Sequence, residues 1–203
     1  MIAVVDYGMG NLGSVTKALR RVGCDATITS EASDVAAAGA VVLPGVGACG
    51  DCMDNLGRLG LIEPVKQAIA EGKPYLGICL GLQILFDESE EGGRVAGLGV
   101  LAGRVVRFRH NLKVPQIGWN QLSIRPGVPY YDGVPDGSYV YFVHGSHVVP
   151  KDGSVIATTT DYGYEFVSSV YRGNVFATQF HPEKSQSVGL RILENFRRIA
   201  TGR

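Results

Sequence analysis

The chain has 203 residues, 19 Lys+Arg against 19 Asp+Glu, 45% apolar residues and four Cys. That length supports one domain with a real core, and 45% apolar beside 19% charged residues excludes a disordered chain. The charge balance argues against a nucleic-acid or anionic-membrane binder, which needs a basic excess, and four Cys are too few for a disulfide framework.

The chain opens Met1-Ile2-Ala3-Val4-Val5 and meets Asp6 at once, so no leader peptide is expected. The longest uncharged stretch, Val35 to Gly50, is broken by Pro44 and several Gly and is too short to span a membrane. The expectation is a soluble, cytoplasmic globular protein.

In chain order, Ile2–Asp6 reads as a buried strand, followed by a helix from Asn11 to Val22 that Gly23 closes. Ala26–Thr29 and Ala40–Leu43 are further strands, the latter stopping at Pro44-Gly45. Leu61–Glu71 has helical apolar spacing, with Gly72 where a helix would end. Tyr75–Ile78 is a short strand, with a helix predicted directly behind it at Leu82–Phe86. Strand alternating with helix predicts a parallel sheet covered on both faces. Beyond residue 100 the pattern changes: Leu101–Arg107, Tyr139–Val143, Ser154–Thr159, Phe166–Tyr171 and Val175–Thr178 are β-rich runs between turn residues. They predict antiparallel strands added to that sheet, and Val188–Ile199 predicts a terminal helix. No linker or repeat divides the chain, so the expectation is one α/β domain with a mostly parallel, mixed sheet.

Two motifs carry little. Gly8-Met9-Gly10-Asn11-Leu12-Gly13 matches a dinucleotide fingerprint, with Glu31 placed like a ribose-binding carboxylate. With 28 Gly, however, three at that spacing arise by chance about 0.5 times in such a chain. A tight strand–helix turn is the better reading. Cys49-Gly50-Asp51-Cys52 lacks a second ligand pair for zinc, and Asp51 and Asp54 disfavour a redox thiolate.

Gly77-Ile78-Cys79-Leu80-Gly81 differs in kind. A strand runs straight into Cys79 and a helix follows, which is the nucleophile-elbow layout with Cys in place of Ser. The turn strains the backbone and crowds its neighbours, hence Gly on both sides, and a helix start favours thiolate. The Leu80 N–H can then serve as an oxyanion donor. The pattern is expected by chance about 0.08 times in this composition. For a base there are four His: His110 in a basic turn, His144 and His147 after a strand, and His181 in His181-Pro182-Glu183. Pro182 biases His181 toward extended backbone, which puts Glu183 on the same side to orient the imidazole. That tripeptide has a chance expectation of about 0.008, so the two motifs together read as a Cys79–His181–Glu183 triad.

These motifs resemble the class I (triad) glutamine amidotransferases. Leu43-Pro44-Gly45-Val46-Gly47, Gly118-Trp119-Asn120, the Tyr139–His144 run and Phe180–Ser185 resemble in particular the glutaminase subunits of imidazole glycerol phosphate synthases. So does Gly8-Met9-Gly10-Asn11; other class I members more often carry Gly-Gly-Pro in the oxyanion strand. The resemblance spans Ile2 to Ile199 and implies a flavodoxin-like amidotransferase domain over 1–203. It implies glutamine hydrolysis through a Cys79 thioester, Gln83 and Glu91 holding the amino-acid end, and an oxyanion hole from Gly45, Val46 and Leu80. It also implies no metal or other cofactor and a heterodimer with a (β/α)8-barrel cyclase near Asn11, Trp119 and Lys184. Ammonia would pass to that cyclase, and nucleotide bound there would reorient the Gly45-Val46 peptide. Two departures stand out. His144-Gly145-Ser146-His147 replaces the usual Ser-Tyr or Thr-Tyr after the His, and Gln116 stands where many members have His. The glutaminase of another class I synthase, and a non-glutaminase thiol hydrolase, remain alternatives.

Overall fold

The computed structural model describes residues 1–202. In chain order these form β1 (Ile2–Val5), α1 (Leu12–Arg21), β2 (Ala26–Thr29), α2 (Ala32–Ala37), β3 (Ala40–Gly45), α3 (Cys49–Arg58) and α4 (Ile62–Ala70). Next come β4 (Tyr75–Cys79), α5 (Leu80–Gln83), β5 (Phe86–Ser89), β6 (Val95–Ala96), β7 (Leu101–Arg107), β8 (Gln116–Gln121) and β9 (Ser123–Ile124). The chain ends with β10 (Tyr139–His144), β11 (Ser146–Pro150), β12 (Ile156–Asp161), β13 (Glu165–Arg172), β14 (Val175–Thr178) and α6 (Gln186–Thr201).

Five strands make a parallel half in the order β2-β1-β3-β4-β14. β1, β3, β4 and β14 are buried at every residue, as strands covered on both faces must be. Odd and even positions serve opposite faces. Ala3, Val5, Val41, Leu43 and Tyr75 pack with Val35 of α2, Leu56 of α3 and Val65 of α4. Val4, Val42, Leu76 and Phe176 pack with Leu19 of α1 and Ile192 and Phe196 of α6.

The same sheet continues past β14 through β13, β11, β7, β5 and β6, antiparallel except between β5 and β7; β12 pairs β13, and β9 pairs β12. β8 and β10 form a separate antiparallel ribbon, Tyr139 opposite Gln121 and His144 opposite Gln116. Among the described residues no helix is long and apolar enough to cross a membrane.

Three expectations are corrected. β3 does not stop before Pro44 but runs through Gly45. Val41 donates toward β4, through the Pro74 carbonyl, so Pro44 turns its N–H-less nitrogen toward β1, whose pairing with β3 ends at Val42. The helix expected at Leu82–Phe86 is only the single turn of α5. The carbonyls of Ile84 and Leu85 are taken by the N–H groups of Leu98, Val100 and Leu101, which pull the chain into β5. The run expected to be strand from Ser154 starts instead as a 3-10 turn, Gly153–Val155, held by the Asp152 side chain on the Ser154 N–H.

Candidate active site

Three strand ends of the parallel half meet. Gly45 of β3 lies opposite Cys79 of β4, and Thr178 of β14 lies opposite Ile78, one residue short of it. Such carboxyl ends are where an open α/β sheet leaves a crevice. Cys79 has φ +56° and ψ −103°, a strained backbone for a residue with a Cβ. The surrounding glycines follow from crowding: a Cβ on Gly77 would meet the Gly81 carbonyl, and one on Gly81 the Leu43 carbonyl. On Gly45 it would meet the Tyr7 hydroxyl and Leu80. Because α5 is one turn long, its dipole is small, and what it offers the site is mainly its unpaired N–H groups.

His181 lies three residues beyond β14 and is tied to the ribbon by its N–H on the Tyr141 carbonyl at 2.9 Å. Its Nδ1 lies 2.8 Å from Glu183 Oε1, with both side chains almost fully buried. The extended geometry expected from sequence holds only for His181 itself. A 3-10 turn over Pro182–Lys184 follows, closed by the Lys184 N–H on the His181 carbonyl, and this turn brings Glu183 back to the ring. The carboxylate fixes the proton on Nδ1, leaving the buried Nε2 to exchange a proton with Cys79. Burial works to lower the His181 pKa, but hydrogen bonding and charge from Cys79 and Glu183 outweigh it and carry it up to about 9. Such an imidazole is a strong proton acceptor next to a thiol. Cys79 as a residue is 7% exposed, and its thiol points toward the Val143 carbonyl at 3.9 Å.

A cleft of about 170 Å³ opens beside the sulfur, room for one amino-acid ligand. Val46, Leu80, Gln83 and Glu91 line it, together with the Val143–Ser146 segment; Gly45 stands just behind, in β3. Burial raises the Glu91 pKa and Arg107 partly offsets this. Gln83 is buried, its Nε2 donating to the Ser146 carbonyl at 3.1 Å and to Gln179 Oε1 at 3.0 Å. Its own oxygen accepts only the weak S–H of Cys49, at 3.6 Å, and keeps capacity for another donor.

Gln116, one of the two departures from the family pattern, has a role in the fold. Burial, with smaller contributions from His147 and His181, outweighs the Ser146 carbonyl and lowers the His144 pKa to about 4, so the ring is neutral. Its Nδ1 lies 2.8 Å from that carbonyl and must carry the proton, which makes Nε2 an acceptor. Gln116 Oε1 lies 2.9 Å from Nε2, and with Nε2 an acceptor the carboxamide is assigned the reverse orientation, its N–H toward the ring. Gln116 thereby fixes one wall of the cleft. No sequence signal marks it, because the contact depends on the β8–β10 register.

The three residues assigned to a partner surface are all exposed or nearly so. Trp119 is 46% exposed and edge-on to Tyr141 at 5.9 Å, and Lys184 Nζ lies 5.8 Å from the same ring. Asn11 is exposed at the start of α1, where its side chain caps the Ser14 N–H, outside that aromatic cluster. Cys49 and Cys52 are free buried thiols whose burial pushes them up to about 11 and about 12, values unsuited to redox or metal chemistry. The Gly8–Gly13 turn uses positive φ at Gly8 and Gly10 and packs Gly10 against Pro44, buttressing the end of β3.

An α/β sheet with a Cys elbow, a carboxylate-oriented His on the neighbouring strand end and an amino-acid-sized cleft is the layout of a thiol-dependent amide hydrolase. The family described as glutamine amidotransferase class-I matches residues 3–199, and this chain belongs to it. The imidazole glycerol phosphate synthase subunit HisH of Syntrophotalea carbinolica is 54% identical over 203 residues, covering 97% of this chain and 98% of that one. Its counterpart from Aquifex aeolicus is 53% identical over 198 residues, covering 97% and 96%. A solved glutamine amidotransferase shares the fold with a TM-score of 0.75 at 21% identity, across 98% of this chain and 99% of its own.

Proposed function

We propose that the chain, 1–203 as one amidotransferase domain, is the cytoplasmic glutaminase subunit of an imidazole glycerol phosphate synthase. Cys79 attacks the side-chain amide of glutamine, and its proton passes to His181 Nε2. The tetrahedral intermediate's oxyanion is held by N–H groups of the Gly45–Val46 strand end and Leu80. His181 returns the proton to the leaving nitrogen, and ammonia departs, leaving a glutamyl thioester. Water, deprotonated by the same ring, then releases glutamate and regenerates the thiol. Glu183 keeps the ring in the tautomer each step needs. Gln83 Oε1 and the Glu91 carboxylate receive the substrate ammonium.

The observation that carries this reading is the His181–Glu183 pair at 2.8 Å standing beside the strained Cys79 at the head of a cleft. The pathway comes from the relatives, matched over nearly their whole length. The ribbon's outer face supports a partner. Ile117, Trp119 and Tyr139 are 58%, 46% and 55% exposed on a strand pair whose other face buries Gln116, Val140, Phe142 and His144, and such patches mark interaction surfaces. The partner is the (β/α)8-barrel cyclase, in a one-to-one heterodimer. It uses the ammonia to make imidazole glycerol phosphate and aminoimidazole carboxamide ribotide in histidine biosynthesis.

Glutamate release from glutamine, measured with the cyclase and its nucleotide substrate present, tests the reading. Release that depends on the cyclase and disappears in Cys79→Ala is expected. Release supported only by a different synthase would move the protein to another pathway.

A further inference from the structure

Gln179 is fully buried, directly follows β14 and precedes His181 by two residues. β14 and β4 run parallel with Thr178 opposite Ile78, so the next residues, Gln179 and Cys79, come side by side. The Gln179 carboxamide nitrogen lies 3.5 Å from Cys79 Sγ, within hydrogen-bonding distance of sulfur. A carboxamide can present either end, and here the surrounding network decides which. The Ser146 carbonyl only accepts, so the Gln83 amide must turn its nitrogen to it, at 3.1 Å. The second N–H of that nitrogen reaches Gln179 Oε1 at 3.0 Å, which commits the Gln179 oxygen to Gln83 and leaves its NH2 for the sulfur. The Cys49 S–H on Gln83 Oε1, at 3.6 Å, demands the same orientation from the other side. Reversing the Gln83 amide would face oxygen against oxygen, and reversing that of Gln179 would face N–H against N–H, in a buried site.

We propose that Gln179 is a catalytic residue that donates an N–H to the Cys79 sulfur, favouring its anionic form and aiming it; this rests on Cys79 being the nucleophile. As the proton leaves Sγ for His181 Nε2, the electron pair stays on sulfur and the Gln179 bond becomes charge-assisted. When the S–C bond to the substrate forms, that charge is spent and the bond relaxes. Gln83 acts through Gln179 as a positioning residue, which makes the order Ser146–Gln83–Gln179–Cys79 a relay from the cleft wall to the nucleophile.

The test uses the full chain, with Gln179→Glu and Gln179→Met as replacements close to glutamine in size. The pH dependence of iodoacetamide alkylation at Cys79 is read alongside glutamate release with the cyclase. Alkylation follows thiolate, so its pH midpoint should rise by about one unit in the Met variant, and further in the Glu variant, where a carboxylate faces the sulfur. Glutamine turnover should fall about 10- to 100-fold in kcat, the factor carried by one hydrogen bond to a charged acceptor, while KM moves less than about threefold. Variants that fold, as judged by thermal melting, and keep the parent's midpoint and kcat would overturn the proposal. If the parent chain itself releases no glutamate with any synthase while alkylation still responds to Gln179, the functional reading falls and the contact stands.

Discussion

The strand ends of the parallel half and the β8–β10 ribbon enclose the same cleft but are built differently. At the strand ends the backbone is crowded: Cys79 is strained, and Gly45, Gly77 and Gly81 have no room for a Cβ. On the ribbon, side chains alternate between a buried inner face with Phe142 and His144 and an outer face with Ile117, Trp119 and Tyr139 exposed. The rigid part holds the reacting atoms. The ribbon contributes the Val143–Ser146 wall and the surface a partner can touch. Changes at the strand ends should therefore fall on kcat or on folding, and changes on the ribbon on KM or on partner coupling.

The largest effect is expected from Cys79→Ala. It should lower cyclase-coupled glutamate release by ~10³-fold or more, in line with the loss of a triad nucleophile elsewhere, with the melting temperature almost unchanged. Gly81→Ala tests the crowding instead. The added methyl would press on the Leu43 carbonyl, and urea denaturation should show a loss of about 2–3 kcal/mol at unchanged m-value.

Glu183→Gln separates orientation from packing. His181 sits at about 9 in the fold against 6.5 as a free side chain, so its proton stabilises the fold fully below pH 6.5, and that contribution fades as pH rises through 9. The variant loses one of the two groups that raise the value, so its stability should depend less on pH across that window, and kcat should drop ~10²-fold. A parent-like pH–stability curve from thermal melts would contradict the role given to the carboxylate.

Trp119→Ala moves the test to the ribbon. Cyclase affinity should weaken by about 1–3 kcal/mol, measured by titration calorimetry, without loss of fold stability. The smallest effect is expected at Gly145. A Cβ there meets only Val114 and Pro115 at van der Waals distance, with no positive φ to forbid it. Gly145→Tyr should therefore leave the glutamine KM within about threefold, since the wall contacts come from backbone. A tenfold gain in affinity would show that side chains matter there after all.

The same contrast decides how much could be read before the fold was known. β2 and β14 fall on the residues expected, and β1, β4, α1 and α4 within one at either end, because buried strands and amphipathic helices carry their period in the chain. β8 was not anticipated, since Gln116–Gln121 mixes Gly, Asn and two Gln and its apolar side chains face outward. α3 was obscured by two Gly and two Asp in a helix of ten residues. The triad was readable because each half is a short motif. Gln179 and Gln116 were not, because their partners are set by strand register and not by spacing along the chain.

Labelling with an electrophilic glutamine analogue, a diazo ketone, followed by peptide mapping tests the central claim most directly. One adduct is expected, on Cys79, blocked by excess glutamine and absent in Cys79→Ala. Cys24, Cys49 and Cys52, buried and held protonated, should stay unmodified. An adduct on Cys49 or Cys52 with Cys79 untouched would contradict it.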